Sequence, residues 1–425
     1  MHKTIKKRIE EINNGIVPEG YEKTSFGIFP CDWEKDKSLG DICEINPKTE
    51  ALPNEFIYID LESVVDGKLI QENVIENAKA PSRAQRVLQK NDIIYQMVRP
   101  YQKNNFIFIQ DDGSFKYVAS TGYAQLRSDN YVFLYQMVNS EYFCTQVLKK
   151  CTGTNYPAIN SQDLAEVNCV YPKDEQEQSR IAEILMQWDK AIELQEKLIE
   201  AYQKSKKYYL NKMFPKKGSN VPEIRFPGFT APWEQRKFAE VYSFASEGGT
   251  PDTNIAAYYR NGTIPFVRIE DTENKYIDSV KTFITEEGLK HSSAWLIPSD
   301  SVIFTNGATV GNVAINRIPV ATKQGILGII PNKTVTTEYL YYLLSAEFFQ
   351  REVRNRQATG TFATIILKNL NEINVFVPDK SEQQKISGYL SSIDNLITLH
   401  QQKRDKLLKQ RKAMQQYLLT GIVRV

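Results

Sequence analysis

Histidine is scarce in this 425-residue chain, and cysteine is confined to one half of it. There are three histidines, His2, His291 and His400, and five cysteines, Cys31, Cys43, Cys144, Cys151 and Cys169. No two cysteines make a CxxC pair, so neither a zinc site nor a disulfide framework is signalled, and reduced thiols in the cytoplasm are expected. Three scattered histidines also fall short of a His-based metal site or triad. No apolar run approaches the roughly 20 residues a membrane helix needs. The opening MHKTIKKRIEEINNG is charged and lacks the apolar centre of a signal peptide. An excess of one charge is missing as well: 53 Lys and Arg against 51 Asp and Glu leave +2. A nucleic-acid binder can still keep its basic residues local, so this balance excludes little.

The motifs of common catalysis are absent too. There is no G-x-G-x-x-G, no G-x-x-x-x-G-K-[ST] and no Asn-Pro-Pro-Tyr, so a dinucleotide site, a P-loop and a nucleic-acid methyltransferase all lack their signature. Pro378-Asp379-Lys380 looks like the start of a nuclease motif. A matching Pro172-Lys173-Asp174 earlier in the chain shows that the position caps a helix instead, where an acid complements the dipole. Asn306-Gly307-Ala308-Thr309-Val310-Gly311 is glycine-rich but has no lysine, and reads as a tight turn where a backbone can approach DNA.

What is present is one pattern written twice. From Glu177 to Phe214, apolar residues recur at Ile181, Leu185, Trp188, Ile192, Ile199, Tyr202, Tyr209 and Met213, in steps of three and four without Gly or Pro. From Glu382 to Leu419 the same steps return at Ile386, Leu390, Ile393, Ile397, Leu407, Met414 and Leu418, at a fixed offset (386 − 181 = 205). Each stretch predicts a long helix with a narrow apolar seam, the kind that zips against another helix. Folded antiparallel, the two would satisfy both seams, as a rod near 60 Å at 1.5 Å per residue. Ahead of each helix lies a similar globular segment. Both begin at a Trp-Glu pair, Trp33-Glu34 and Trp233-Glu234, and pass through β-rich pieces in which Asp92 matches Asp300 and Gly122 matches Gly325. A single helix then follows in each, Tyr131 to Lys150 and Glu338 to Arg356. These run into Thr152-Gly153-Thr154 and Thr359-Gly360-Thr361, and each copy ends at a proline, Pro172 or Pro378. The expected fold is therefore α+β: two tandem globular domains separated by two long helices packed as an antiparallel coiled coil, pseudo-two-fold symmetric.

Two unlike heads on a stiff spacer suit a binder of two short DNA half-sites with an unread gap. Both heads carry basic and amide residues near loops, among them Tyr101, Asn104, Lys149 and Lys150 in the first and Arg317, Arg351 and Arg354 in the second. The order of Trp-Glu, Thr-Gly-Thr, the proline exit into Glu-Gln-x-x-Ile and the long helix, found twice, resembles the specificity subunit of type I restriction-modification systems. That resemblance implies a leader at 1–20, target recognition domains at 21–173 and 216–378, a central spacer helix at 174–215 and a distal one at 379–425. It implies contacts to double-stranded DNA through Arg99, Lys103, Ser120, Thr121, Thr154 and Asn155 in the first head. In the second they would be Asn306, Thr309, Lys323, Gln324, Arg356 and Thr361. The helix interface would be Ile181, Leu185, Trp188, Ile192, Ile199, Ile386, Leu390, Ile393, Ile397 and Leu407. Two methyltransferase subunits and restriction subunits would be the partners, in the cytoplasm and away from membranes. The chain itself would be non-catalytic and bind no metal or cofactor, with S-adenosylmethionine, ATP and Mg belonging to the partners. The competing reading is a coiled-coil scaffold or transcription regulator whose heads bind protein.

Overall fold

The computed structural model describes residues 3–425 apart from 49, 110–112, 114, 154, 217 and 359–362. The chain divides into two units, residues 1–195 with 403–425, and residues 196–402. Each unit holds one head, the first half of the long helix that follows it, and the last half of the other long helix.

The helices run Glu175–Lys212 and Lys380–Leu419. Their starts follow from the proline-acid sequences before them. Proline ends the preceding strand, and an aspartate then accepts an otherwise unpaired amide: Gln176 N donates to Asp174 Oδ1 at 2.9 Å and Glu382 N to Asp379 Oδ1 at 2.9 Å. Within the first unit, Glu177 pairs with Arg424 and Asp189 with Arg411. Within the second, Tyr202 stacks on His400 with ring centroids 5.4 Å apart, Lys206 meets Asp394 at 2.6 Å, and Tyr209 meets Tyr389 edge-on at 5.0 Å. One number rises as the other falls, so the two helices pack antiparallel in both units.

The seam has two parts. Ile181 and Leu185 lie in the first head's core with Leu418 and Leu419, while Ile386 and Leu390 lie in the second head's core with Leu210 and Met213. These steps thus weld helix to head as well as helix to helix. Ile192, Ile199 and Ile393 are buried; Trp188, Ile397 and Leu407 are half-buried. A narrow stripe between two helices leaves its flanks wet, which accounts for the partial exposure.

The heads share a topology. In the first, a four-stranded sheet orders strands 106–107, 93–96, 123–127 and 44–45; in the second, strands 313–316, 301–305, 326–331 and 242–247 occupy the same order, extended by 276–277. A second sheet pairs Glu55–Ile59 with Lys116–Ser120 in parallel in the first head, as Ile264–Val267 pairs with Ala321–Thr322 in the second. The Trp-Glu strand of each head, from Trp33 or Glu234, pairs antiparallel with the strand that ends the head.

Two readings of the sequence are corrected by the backbone. Asp92 does not match Asp300: Asn91 and Asp300 both take positive φ, 74° and 61°, ahead of equivalent strands, so the register is one residue off. Asp92 instead forms a buried ion pair with Arg127 at 2.7 Å. Neither of the two expected single helices is continuous. The first breaks into Tyr131–Val138 and Glu141–Lys150, where Ser140 Oγ accepts from Phe143 N and starts a new helix. The second breaks into Thr337–Ser345 and Glu347–Arg356. The charged opening holds a helix, Lys3–Asn13, and Arg8 donates to the Ile422 carbonyl at 2.8 Å.

Candidate nucleic-acid interface

In each head, three loops are tied together by the same backbone hydrogen bonds. In the first, Met97 N donates to Gly122 O and Ile159 N to Met97 O, both at 3.0 Å, and Arg99 N donates to Pro157 O at 2.8 Å. In the second, Asn306 N donates to Gly325 O and Ile365 N to Asn306 O, both at 2.9 Å. The short antiparallel bridges Thr152–Ala158 and Ala358–Thr364 close the third loop in both. Glycine is needed where the loops touch: a Cβ on Gly307 would stand 3.1 Å from the Gly325 Cα, and Gly325 has φ +86°. Equivalent residues Arg99 and Ala308 sit in the left-handed region at φ 53° and 60°, an uncommon conformation held here by the bonds around it.

The predicted contact residues fall into separate groups. Arg99 is the best placed. Its guanidinium lies 4.3 Å from the centroid of the Tyr156 ring, and Tyr156 is 63% exposed. Sequence reasoning passed over Tyr156, although it lies two residues after Thr152-Gly153-Thr154. Among the described residues, no acid pairs with Arg99 or with Lys323. A stacked guanidinium and an exposed ring form a ready platform for a phosphate or a base. Asn155, Thr309 and Gln324 are exposed on the same loops, and Lys323 and Thr121 are half-buried.

Other candidates are already engaged. Lys103 meets Glu141 at 3.1 Å. Burial pushes the Glu141 carboxyl up, but hydrogen bonds from Lys103 and Lys412 outweigh it and hold the group below the usual carboxylate range. Arg356 pairs with Glu352 one helical turn away, Lys150 with Glu166 and Arg354 with Glu347. Ser120 and Asn306 are buried and shape the loops: Ser120 Oγ accepts from Gly122 N at 3.2 Å, and Asn306 Nδ2 donates to Ile365 O at 3.2 Å. Thr154 and Thr361 lie outside the described residues.

Among the described residues, no group of three or more His, Cys, Asp or Glu is arranged to hold a metal ion, and no helix is long and apolar enough to cross a membrane. All five cysteines are free, and burial alone pushes the Cys43 thiol up to about 12.

The family model described as "Type I restriction modification DNA specificity domain" matches residues 30–203 and again 231–409, one match per head with its helix. The chain belongs to this family. Among type I specificity subunits, the chain is 33% identical over 180 residues to that of MjaIX from Methanocaldococcus jannaschii, which is 42% of this chain and 41% of that relative. That match therefore spans less than half of the relative's length. A putative MjaX specificity subunit of the same organism is 25% identical over 433 residues, covering 96% of this chain and 97% of its own. In fold, the chain resembles the solved type I S subunit from M. genitalium, with a TM-score of 0.57 at 16% identity over 91% of this chain and 96% of that one. The type I specificity fold thus accounts for both halves of the repeat.

Proposed function

We propose that this chain is the DNA-reading subunit of a type I restriction-modification complex. Each head reads one short half-site, and the pair specifies a two-part, asymmetric sequence. The carrying observation is the repeated three-loop arrangement, built by equivalent hydrogen bonds in two heads whose side chains differ. A shared scaffold with unlike loops suits one mode of docking and two different base sequences.

The reaction itself would belong to partners. Two methyltransferase subunits would dock on the long helices, whose exposed apolar side chains include Met186, Leu194 and Leu408 in the first unit and Leu198, Leu396 and Leu399 in the second. Restriction subunits would join them in the cytoplasm, and S-adenosylmethionine, ATP and Mg would be bound by those partners rather than by this chain.

The head-to-DNA part of this reading is tested by Arg99→Ala in the assembled complex. Loss of one guanidinium contact is expected to cost about 1–3 kcal/mol of binding, roughly 5- to 150-fold in affinity, through the first half-site. Lys323→Ala should weaken the second head and flatten the salt dependence of binding, as loss of a phosphate contact does. Arg356→Ala should do less, because Glu352 already holds that guanidinium. Affinities measured by fluorescence anisotropy that match wild type for both Arg99→Ala and Lys323→Ala would remove these loops from the DNA interface.

A further inference from the structure

Each head sends one buried polar side chain to an aspartate that is itself ion-paired with the other long helix. In the first unit this is Gln136, 2% exposed, on the helix Tyr131–Val138. Its Nε2 donates to Asp189 Oδ2 at 3.1 Å, and its Oε1 accepts from Arg411 Nη2 at 2.6 Å. Arg411 also donates to both Asp189 oxygens, at 2.9 and 3.2 Å. Gln415 donates to the Gln136 carbonyl at 3.1 Å and completes the group.

The second unit repeats the arrangement with different chemistry. Tyr342, fully buried on the helix Thr337–Ser345, donates its hydroxyl to Asp394 Oδ2 at 2.6 Å. Lys206 meets the other Asp394 oxygen at 2.6 Å. Lys275, whose side chain is 10% exposed, donates to Tyr342 at 2.9 Å and to Ser391 at 2.6 Å. Positions 136 and 342, 189 and 394, and 411 and 206 are equivalent in the repeat, so both groups draw one member from the head, one from its own helix and one from the other helix.

We infer that the triads Gln136–Asp189–Arg411 and Tyr342–Asp394–Lys206 are positioning residues that hold each head in a single seat on its helix pair, and so restrict the complex to one gap length between half-sites. The inference rests on the DNA-reading function proposed above. Apolar contacts alone are non-directional and tolerate a small slide. A charge-assisted triad does not, since a shifted seat strands the buried Gln136 amide in one unit and the mostly buried Asp394 carboxylate in the other without partners. That the side chains differ while the geometry recurs fits a mechanical requirement rather than a shared ligand.

The test replaces the chromosomal gene with Tyr342→Phe, which removes only a hydroxyl, or with Asp189→Asn, and maps methylated sites by sequencing. Wild type should methylate one gapped motif. Each variant should keep both half-sites and add a second gap, one base pair shorter or longer, at a tenth or more of its methylated sites. A single unchanged gap in both variants overturns the inference. So does complete loss of methylation by a chain that accumulates normally, because the triads would then support binding rather than spacing. If Tyr342→Phe lowers the amount of protein, Asp189→Asn decides alone, its side chain being 42% exposed and its loss easier to tolerate. A wild-type host without any gapped motif would refute the function and leave the triads aside.

Discussion

Arg225→Ala should destabilise the second unit by about 3–5 kcal/mol, the cost of leaving a buried carboxylate without its cation. Glu382, at the start of the second long helix, has a side chain that is 0% exposed. It accepts two parallel bonds from Arg225, at 2.6 and 2.8 Å, and one from the Trp233 indole N–H at 3.2 Å. The carboxylate in turn holds the Arg225 guanidinium above its ordinary pKa. Without the arginine, one indole N–H remains to satisfy a desolvated charge. Arg225→Lys should recover part of the loss, because an ammonium keeps the charge but not the planar fork. The equivalent change in the first unit, Arg424→Ala, should cost less. Arg424 is 35% exposed and shared between Glu177 and Asp32, the latter well exposed. Denaturant unfolding of the purified chain measures both, and a loss under about 1 kcal/mol for Arg225→Ala would contradict the role given to this pair.

The second large effect is on the recognised sequence. Seven residues inserted into both long helices, after Gln195 and after Gln402, should abolish modification of the original motif and create one with the same half-sites and a longer gap. Seven residues are close to two helical turns, so the apolar stripe stays on nearly the same face, and they add about 10 Å of helix. At roughly 3.4 Å per base pair, the gap should grow by up to about three base pairs. Sequencing of methylated DNA reads the outcome. Altered half-sites would show that the heads do not read independently of the helices.

How much of this was legible in the sequence depended on whether the signal was local. The helices were, because a 3-4 apolar spacing is a local signal and the 205-residue offset repeats it. Gly122 and Gly325 were also matched correctly: their carbonyls accept from the equivalent amides of Met97 and Asn306. The match of Asp92 with Asp300 failed because backbone conformation, not side-chain identity, sets the register: positive φ falls on Asn91 and Asp300. The contact residues were harder still. Lys103 and Glu141 are 38 positions apart (141 − 103), and only the fold shows that they pair and that no acid among the described residues pairs with Arg99 or Lys323. Tyr156 was overlooked because an isolated tyrosine reads as core until its exposure is known. The breaks at Ser140 and Ala346 lie within apolar helical patterns that a sequence alone runs together.

The central claim, that one chain supplies two reading heads to a DNA-modifying complex, is tested most directly by comparing the methylated bases of a host with and without this gene. A gapped, two-part motif methylated on adenine should disappear on deletion and return on complementation. A methylation pattern that deletion leaves unchanged would contradict it.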